Sequence, residues 1–204
     1  MKSFLTTILL FFLTTFSGFA QTAQAQATDN FKLLEKSTMQ ITGTSTIHDW
    51  ECDVKDIQSS VTFDANALKA DTMSNPVESL SLTIPVKSIE SGKGGMDSKI
   101  HGALKEKKHP NVTFKLSKAE LADNASSTDN FKLNIAGTLN IAGVSRDVNF
   151  PVEGKLQSDG TYEFTGQYKM DMTDYKIDPP SAIFGTIKSG KEVTVSFDVF
   201  LGQQ

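Results

Sequence analysis

Apolar and polar residues alternate through most of this chain, and a helical spacing interrupts the alternation once. Between Ser79 and Val86, Leu80, Leu82, Ile84 and Val86 fall on one side; Ser79, Ser81, Thr83 and Pro85 fall on the other. That is the period of a half-buried strand. Gly92, Gly94 and Gly95 crowd the next positions and predict a break with no regular element. From Met96 the period changes: Met96, Ile100, Ala103 and Leu104 share a stripe, with Lys99, Lys105, Glu106 and Lys107 on the wet side. This predicts a short amphipathic helix, stopped at His109-Pro110 because a residue before proline avoids the helical region. Val112, Phe114 and Leu116 then resume the period of two.

The rest of the chain reads as strands and turns. Phe31, Leu33 and Glu35 alternate imperfectly, Met39 and Ile41 more clearly, and Gly43 predicts a bend or bulge. Along His48–Asp53, His48, Trp50 and Cys52 face one way and Asp49, Glu51 and Asp53 the other. Ile57, Val61 and Phe63 follow, then a polar connection from Asp64 to Pro76 with one helical turn at Ala65–Leu68. Leu121–Asn130 is rich in turn formers and reads as a loop. In the second half, Phe131, Leu133, Ile135, Leu139 and Ile141 form one row, and Val148, Phe150, Val152 and Leu156 the next. Ala142-Gly143-Val144 turns the chain between them, and Ser158-Asp159-Gly160 is a hairpin signal. Tyr162, Phe164, Tyr168, Met170 and Met172 make a third row, Pro179-Pro180 lies in a loop, and Val193, Val195, Phe197, Val199 and Leu201 close the chain. Gly137, Gly154 and Gly166 sit within these rows, where a strongly bent sheet has no room for a side chain. The pattern is all-β and antiparallel, with little helix and no internal repeat.

Ahead of the strands, residues 1–20 read as a signal peptide. Lys2 is the charged start, Phe4–Phe16 the apolar run, and Gly18-Phe19-Ala20 the small-residue site, with Ala23-Gln24-Ala25 a second one. The run is shorter than the ~20 residues of a spanning helix, which argues against a stable membrane anchor once the leader is cleaved. Residues 21–30 read as a flexible tail and 31–204 as one domain, periplasmic or secreted. About 180 mature residues bury one sizeable core.

The net charge is −4. An acidic chain with no long basic run argues against nucleic acid, whose binding rests on Lys and Arg meeting phosphates. Cys52 is the single cysteine, so no internal disulfide forms, and beside Trp50 it reads as a small, inert core residue. His48 and Cys52 stand ~13 Å apart on a strand at ~3.3 Å per residue, too far to share a zinc ion. No metal site or cofactor is expected. There is no G-x-S-x-G elbow, no H-E-x-x-H, and no Rossmann or phosphate-loop glycine pattern. His101 reads as helix surface and His109 as helix end. No catalytic residue is assigned; scattered carboxylates leave a paired-acid hydrolase open.

Several stretches together resemble a known family. MDSKIHGALKEKKHPNVTF (Met96–Phe114) looks like the helix-to-strand signature of YceI-like proteins, and LNIAGVSRDVNFPVEG (Leu139–Gly154) resembles their strand–turn–strand, with Gly143 and Arg146 in the turn. Met172–Val199 is similar to the closing strand, and GTSTIHDW (Gly43–Trp50) to the N-terminal variant of Bacteroidetes-type members. The resemblance implies an eight-stranded antiparallel, lipocalin-like barrel with one or two short helices, secreted, holding a long polyisoprenoid chain.

A barrel of about eight strands is either filled by side chains or holds one slender ligand. Rows that mix Phe and Leu with Gly, Ala and Met suit a soft apolar tunnel, whereas a filled core or a two-sheet sandwich would show the same alternation. The expected lining is Leu82, Ile84, Val112, Phe114, Leu133, Ile135, Phe150, Val152, Phe164, Tyr168, Val195 and Phe197, with Ile100 and Leu104 of the helix covering one end. The expected function is non-enzymatic binding, transport or sequestration of an amphiphilic lipid: a polyisoprenoid, an isoprenoid quinone or a fatty amide. The alternatives are an enzyme acting on an isoprenoid-type lipid and a secreted β-sandwich interaction module. The sequence leaves a homodimer open.

Overall fold

The structure is a computed structural model and describes residues 31–68, 74–122, 129–182 and 186–203. The leader and the tail expected at residues 1–30 lie outside the described residues, as do parts of the two polar connections. The strands are β1 (Phe31–Leu33), β2 (Thr38–Ser45), β3 (Trp50–Val54), β4 (Gln58–Phe63), β5 (Val77–Pro85) and β6 (Ile89–Glu90). Helix α1 (Gly94–Ala103) follows, then β7 (Asn111–Leu121), β8 (Asn130–Ile141), β9 (Val144–Leu156), β10 (Tyr162–Asp171), β11 (Ser181–Ala182) and β12 (Ile187–Gln203). Short 3-10 turns lie at Ala65–Leu68, Val86–Ser88 and Met172–Tyr175.

All pairings are antiparallel, and the sheet runs β4-β5-β7-β8-β9-β10-β12-β2-β3-β6, with β1 and β11 added onto β12. The end strand β6 is the continuation of β5, which lies one strand in from the opposite end, past the Val86–Ser88 turn. One sheet therefore curls round on itself as a lipocalin-like barrel, and among the described residues no second sheet packs on it as a sandwich. The expected strand count of eight is corrected to 12 segments among the described residues. The β5–β6 run is split where it leaves one neighbour for another, and β1, β6 and β11 are too short to show a period. Register shifts at Thr62/Phe63, Leu116/Lys118 and Ser189/Val193 bend the wall further.

Four local readings also change. Gly94 and Gly95 do not break the chain but open α1, where a helix's first N–H groups lack intrahelical partners anyway. Leu121 ends β7 instead of starting a loop. The turn after β8 is the pair Ala142-Gly143, at φ 52° and 81°, so Arg146 stands on β9. Gly43 does more than mark a bend or bulge: it stands at the β2–β12 register shift and is also paired directly with Trp50, whose ring occupies the space a Cβ would take.

The interior rows fall where the alternation puts them, but they are not equally packed. At one end, the rings of Phe31, Phe63, Phe131, Tyr162 and Phe164 meet edge-on or tilted, with Phe31–Phe63 centroids 4.9 Å apart and Phe63–Tyr162 4.7 Å. Leu68, Leu133 and Leu201 fill the gaps between them. At the other end, Ile141, Met172, Tyr175, Ile177 and Val193 form a second buried cluster beneath the helix residues Ala103 and Leu104. Between the two, Leu82, Ile84, Val112, Phe150, Val195 and Phe197 point inward yet are only half-buried. Inward residues in a filled core lose nearly all exposure; these retain some because they border a void.

Candidate functional site: an apolar bore with a polar rim

The void is a cavity of about 510 Å3, in the size range of small-molecule sites. Every residue expected in the lining stands on its wall: Leu82, Ile84, Val112, Phe114, Leu133, Ile135, Phe150, Val152, Phe164, Tyr168, Val195 and Phe197 from the strands, Ile100 from α1 and Leu104 just past its end. Sequence reasoning missed the contribution of β2 and β3, where Met39, Ile41, Trp50, Cys52 and Val54 complete the wall. It also missed Tyr175, which no strand period could place.

Glycines let large rings lie flat against the wall. Phe197 covers Gly166 and Phe131 covers Gly154, each across a directly paired position, and Phe114 lies over Gly137. A Cβ at any of the three would come within 2.5 Å of the ring. These glycines thus make room for aromatic side chains as well as for curvature.

The polar groups gather at the rim. Ser45, Ile47, His48, Gly95, Lys99, Pro180 and Ser181 border the opening, between the β2–β3 connection, α1 and the stretch before β11. Ser45 Oγ donates to the His48 carbonyl at 2.7 Å, and His48 Nδ1 donates to the Asp49 carbonyl at 2.8 Å, so this connection is self-tied. Ile47 is 61% exposed beside it, the one large hydrophobic left in water among the described residues. Trp50 Nε1 donates to the Thr44 carbonyl at 3.0 Å and to Ser189 Oγ at 3.1 Å, which fixes the indole against β2 and β12.

Helix α1 is held over the bore by its ends. The Asp97 carboxylate accepts from Ser91 N at 2.7 Å and Ser91 Oγ at 2.6 Å, and these bonds hold its pKa below the usual carboxylate range. His101 Nε2 donates to the Ile89 carbonyl at 2.9 Å, so it pins α1 to β6 and is more than helix surface. The ring of His109 rests on Gly143 at the β8–β9 turn. Among the described residues no three His, Cys, Asp or Glu side chains converge as metal ligands would.

Tyr175 is the unusual group on the wall. It ends the 3-10 turn whose N-cap, Asp171, accepts from Thr173 N at 2.9 Å and from Thr173 Oγ1 at 2.7 Å. Lys191 Nζ lies 2.8 Å from Asp171, and together these bonds depress the Asp171 carboxyl to about 2. The turn closes on Lys176 in the left-handed region, φ 55°, whose carbonyl accepts from Lys105 Nζ at 3.1 Å. Arg146 Nε donates to the Asp174 carbonyl at 3.0 Å. Tyr175 is thus braced from three sides, and it is only 1% exposed. Its hydroxyl is shut off from solvent and has no hydrogen-bond partner. Burial, and then the nearby Tyr168, push its pKa far above the ordinary phenol value, although the two phenols do not meet in hydrogen-bonding geometry.

Against known proteins, the family model of the YceI-like domain matches residues 19–201. The chain belongs to the YceI-like family. BcnA from Burkholderia cenocepacia has a similar structure, at a TM-score of 0.64 and 21% identity, covering 82% of this chain and 97% of that one. A polyisoprenoid binding domain from Saccharophagus degradans, implicated in plant cell wall breakdown, is similar at 0.63 and 11% identity, covering 86% and 99%. A YceI protein from Campylobacter jejuni is similar at 0.56 and 22% identity, covering 75% and 84%. A search of curated proteins finds no match. At such identities the likeness of this YceI-like chain to solved structures is one of fold.

Proposed function

We propose that this YceI-like protein binds and carries a long-chain amphiphilic lipid, its tail in the bore and its head toward the polar rim, without chemically changing it. The carrying observation is the bore: a half-open, almost wholly apolar cavity of about 510 Å3 that the core residues decline to fill. Tail burial at ~25 cal/mol per Å2 of apolar surface supplies most of the affinity. The similar domain from Saccharophagus degradans, described as polyisoprenoid binding, supports the lipid class. A polyisoprenoid, an isoprenoid quinone and a fatty amide all suit a slender flexible tube, and Met39, Met96, Met170 and Met172 adapt the wall to them. Burial first, and then Asp97, Asp53 and Glu51, push the Cys52 thiol up to about 11, which makes it a poor nucleophile. The leader at residues 1–20 supports a periplasmic or secreted site of action.

Organic extraction and mass spectrometry of protein purified from its native host test this. A co-purifying lipid at near one per chain is expected. Turnover of an added isoprenoid lipid would make the protein an enzyme, and neither lipid nor turnover would leave an interaction module.

A further inference from the structure

A long-chain lipid in open water is disfavoured by about fourfold for each methylene exposed. A carrier avoids that step when its mouth touches the bilayer, so the mouth is where a docking surface belongs. Ile47 stands there, 61% exposed. Single apolar residues on a surface are ordinary, but this one is held out. Ile47 N and His48 N donate to Ser45 Oγ at 3.4 and 3.3 Å. Thr46 N donates to the Lys188 carbonyl at 3.0 Å, and Lys188 N to Thr46 Oγ1 at 3.3 Å. Turning Ile47 inward would break this net. Met96, Pro180 and Ile187 line the same cavity and are only half-buried, so apolar surface continues from the bore to its outer edge.

Charge points the same way. The chain is acidic overall, yet residues 87–108, which include α1, carry six lysines against Glu90, Asp97 and Glu106. Glu106 is paired with Lys87 at 3.6 Å, and Asp97 is committed to Ser91. Lys93, Lys99, Lys105, Lys107 and Lys108 are exposed, as is Lys188 beside Thr46. The exposed carboxylates nearest the mouth in the chain are Asp49, next to His48, and Asp178, two residues before Pro180. An apolar tip beside a cluster of exposed lysines suits an anionic bilayer, where cations meet phosphates and an apolar side chain enters the head-group boundary.

We propose that the mouth of the barrel is a docking surface for an anionic phospholipid bilayer. Ile47 enters the head-group boundary, Lys93 and Lys99 lie against lipid phosphates, and the ligand passes between membrane and bore without crossing water. The inference rests on the lipid-binding reading above and adds how the lipid arrives.

The test is flotation of the exported, leader-free protein with vesicles of phosphatidylcholine alone or mixed with phosphatidylglycerol, with no ligand added. Wild type is expected to float with the mixed vesicles and several-fold less with phosphatidylcholine. Ile47→Ser should weaken binding to the mixed vesicles about tenfold. The pair Lys93→Gln and Lys99→Gln should weaken it about fivefold for each lysine. Melting temperatures should not move, because all three side chains are exposed. The pair Lys32→Gln and Lys155→Gln, exposed at the opposite end of the barrel, should bind as wild type does. No flotation with either vesicle overturns the inference. So does binding that Ile47→Ser or the Lys93 and Lys99 pair leaves unchanged, or that the far-end pair weakens as much. Capture of an acidic protein without vesicle binding overturns it in favour of a protein partner. Vesicle binding is read without ligand, so its failure leaves the lipid-binding reading to the extraction experiment.

Discussion

The indole of Trp50 lies so closely over Gly43, its direct partner on β2, that a Cβ on Gly43 would stand 2.3 Å from the ring. The ring has little freedom to yield, because its N–H is already committed to Thr44 and Ser189. Gly43→Ala should therefore destabilise the barrel by about 1–3 kcal/mol, as overpacking does. Urea unfolding measures it. An unchanged midpoint would mean that the ring swings away at no cost, and with it the account of the β2–β3 wall.

Phe164 and Phe150 separate packed wall from bore. Phe164 touches Phe63 and Phe131 in the aromatic end, so Phe164→Ala should cost about 3–5 kcal/mol. Phe150 is only half-buried and borders the void, so Phe150→Ala should cost clearly less while changing which tail lengths are retained. Unfolding midpoints and extracted lipid for both variants check this. Equal, full losses with no lipid in either variant or in the parent would point to a filled core.

Cys52 should be inert in the native protein. Its pKa is raised to about 11, from a reference of 9.0, by burial first and then by Asp97, Asp53 and Glu51. Because the neutral thiol is the form the fold favours, its contribution to stability is complete below pH 9.0 and fades as pH climbs toward about 11. Maleimide labelling at pH 8 should be far slower folded than denatured. Equal rates in the two states would contradict the placement of Cys52 on the inner wall.

Asp171 gives an acid-side signature. Its bonds to Lys191 and Thr173 depress its pKa to about 2, against the ordinary 3.8. The stabilisation is present above 3.8 and is lost as pH falls toward about 2. Asp171→Asn should therefore melt below wild type at pH 6, and the gap should close as both are titrated toward pH 2. A gap independent of pH would remove the carboxylate from the account of how the Tyr175 turn is held.

Processing is the remaining expectation. The leader pattern places cleavage after Ala20 or after Ala25. Intact mass of the protein from the native cell envelope should show one of these two new termini. Retention of Met1 would overturn the leader and the proposed compartment together.

The rows of the bore were legible because a strand's period of two needs no tertiary information: Leu82 and Ile84, Phe150 and Val152, Val195 and Phe197 declare their face locally. The strand count was not, since β6 is defined by its partner Val54–Asp53 and not by any pattern of its own. Whether the rows meet across packed side chains or across a void was equally hidden, because both arrangements need the same alternation. The Tyr175 turn could have been glimpsed in Asp171-Met172-Thr173, an Asp placed to cap a turn. Only the folded chain shows that it buries a phenol in the cluster of Ile141, Met172, Ile177 and Val193. At Gly43 the bulge was legible, but the space it leaves for the Trp50 ring was not, because a glycine that makes way for a ring looks, in sequence, like any other.

The corner at Val86–Ser88 sets the girth of the tube. Lys55 N donates to the Ser88 carbonyl at 2.8 Å, Ser88 Oγ to the Asp56 carbonyl at 3.2 Å, and Val86 N to the Pro110 carbonyl at 2.8 Å, so three separate runs of chain are stitched at this point. Elsewhere along that flank β4 has a ladder on one side only, toward β5. The circumference is therefore clasped at one corner and left unladdered beside it. Widening along β4 would break no strand ladder among the described residues, only side-chain packing such as that of Phe63 on Phe31 of β1.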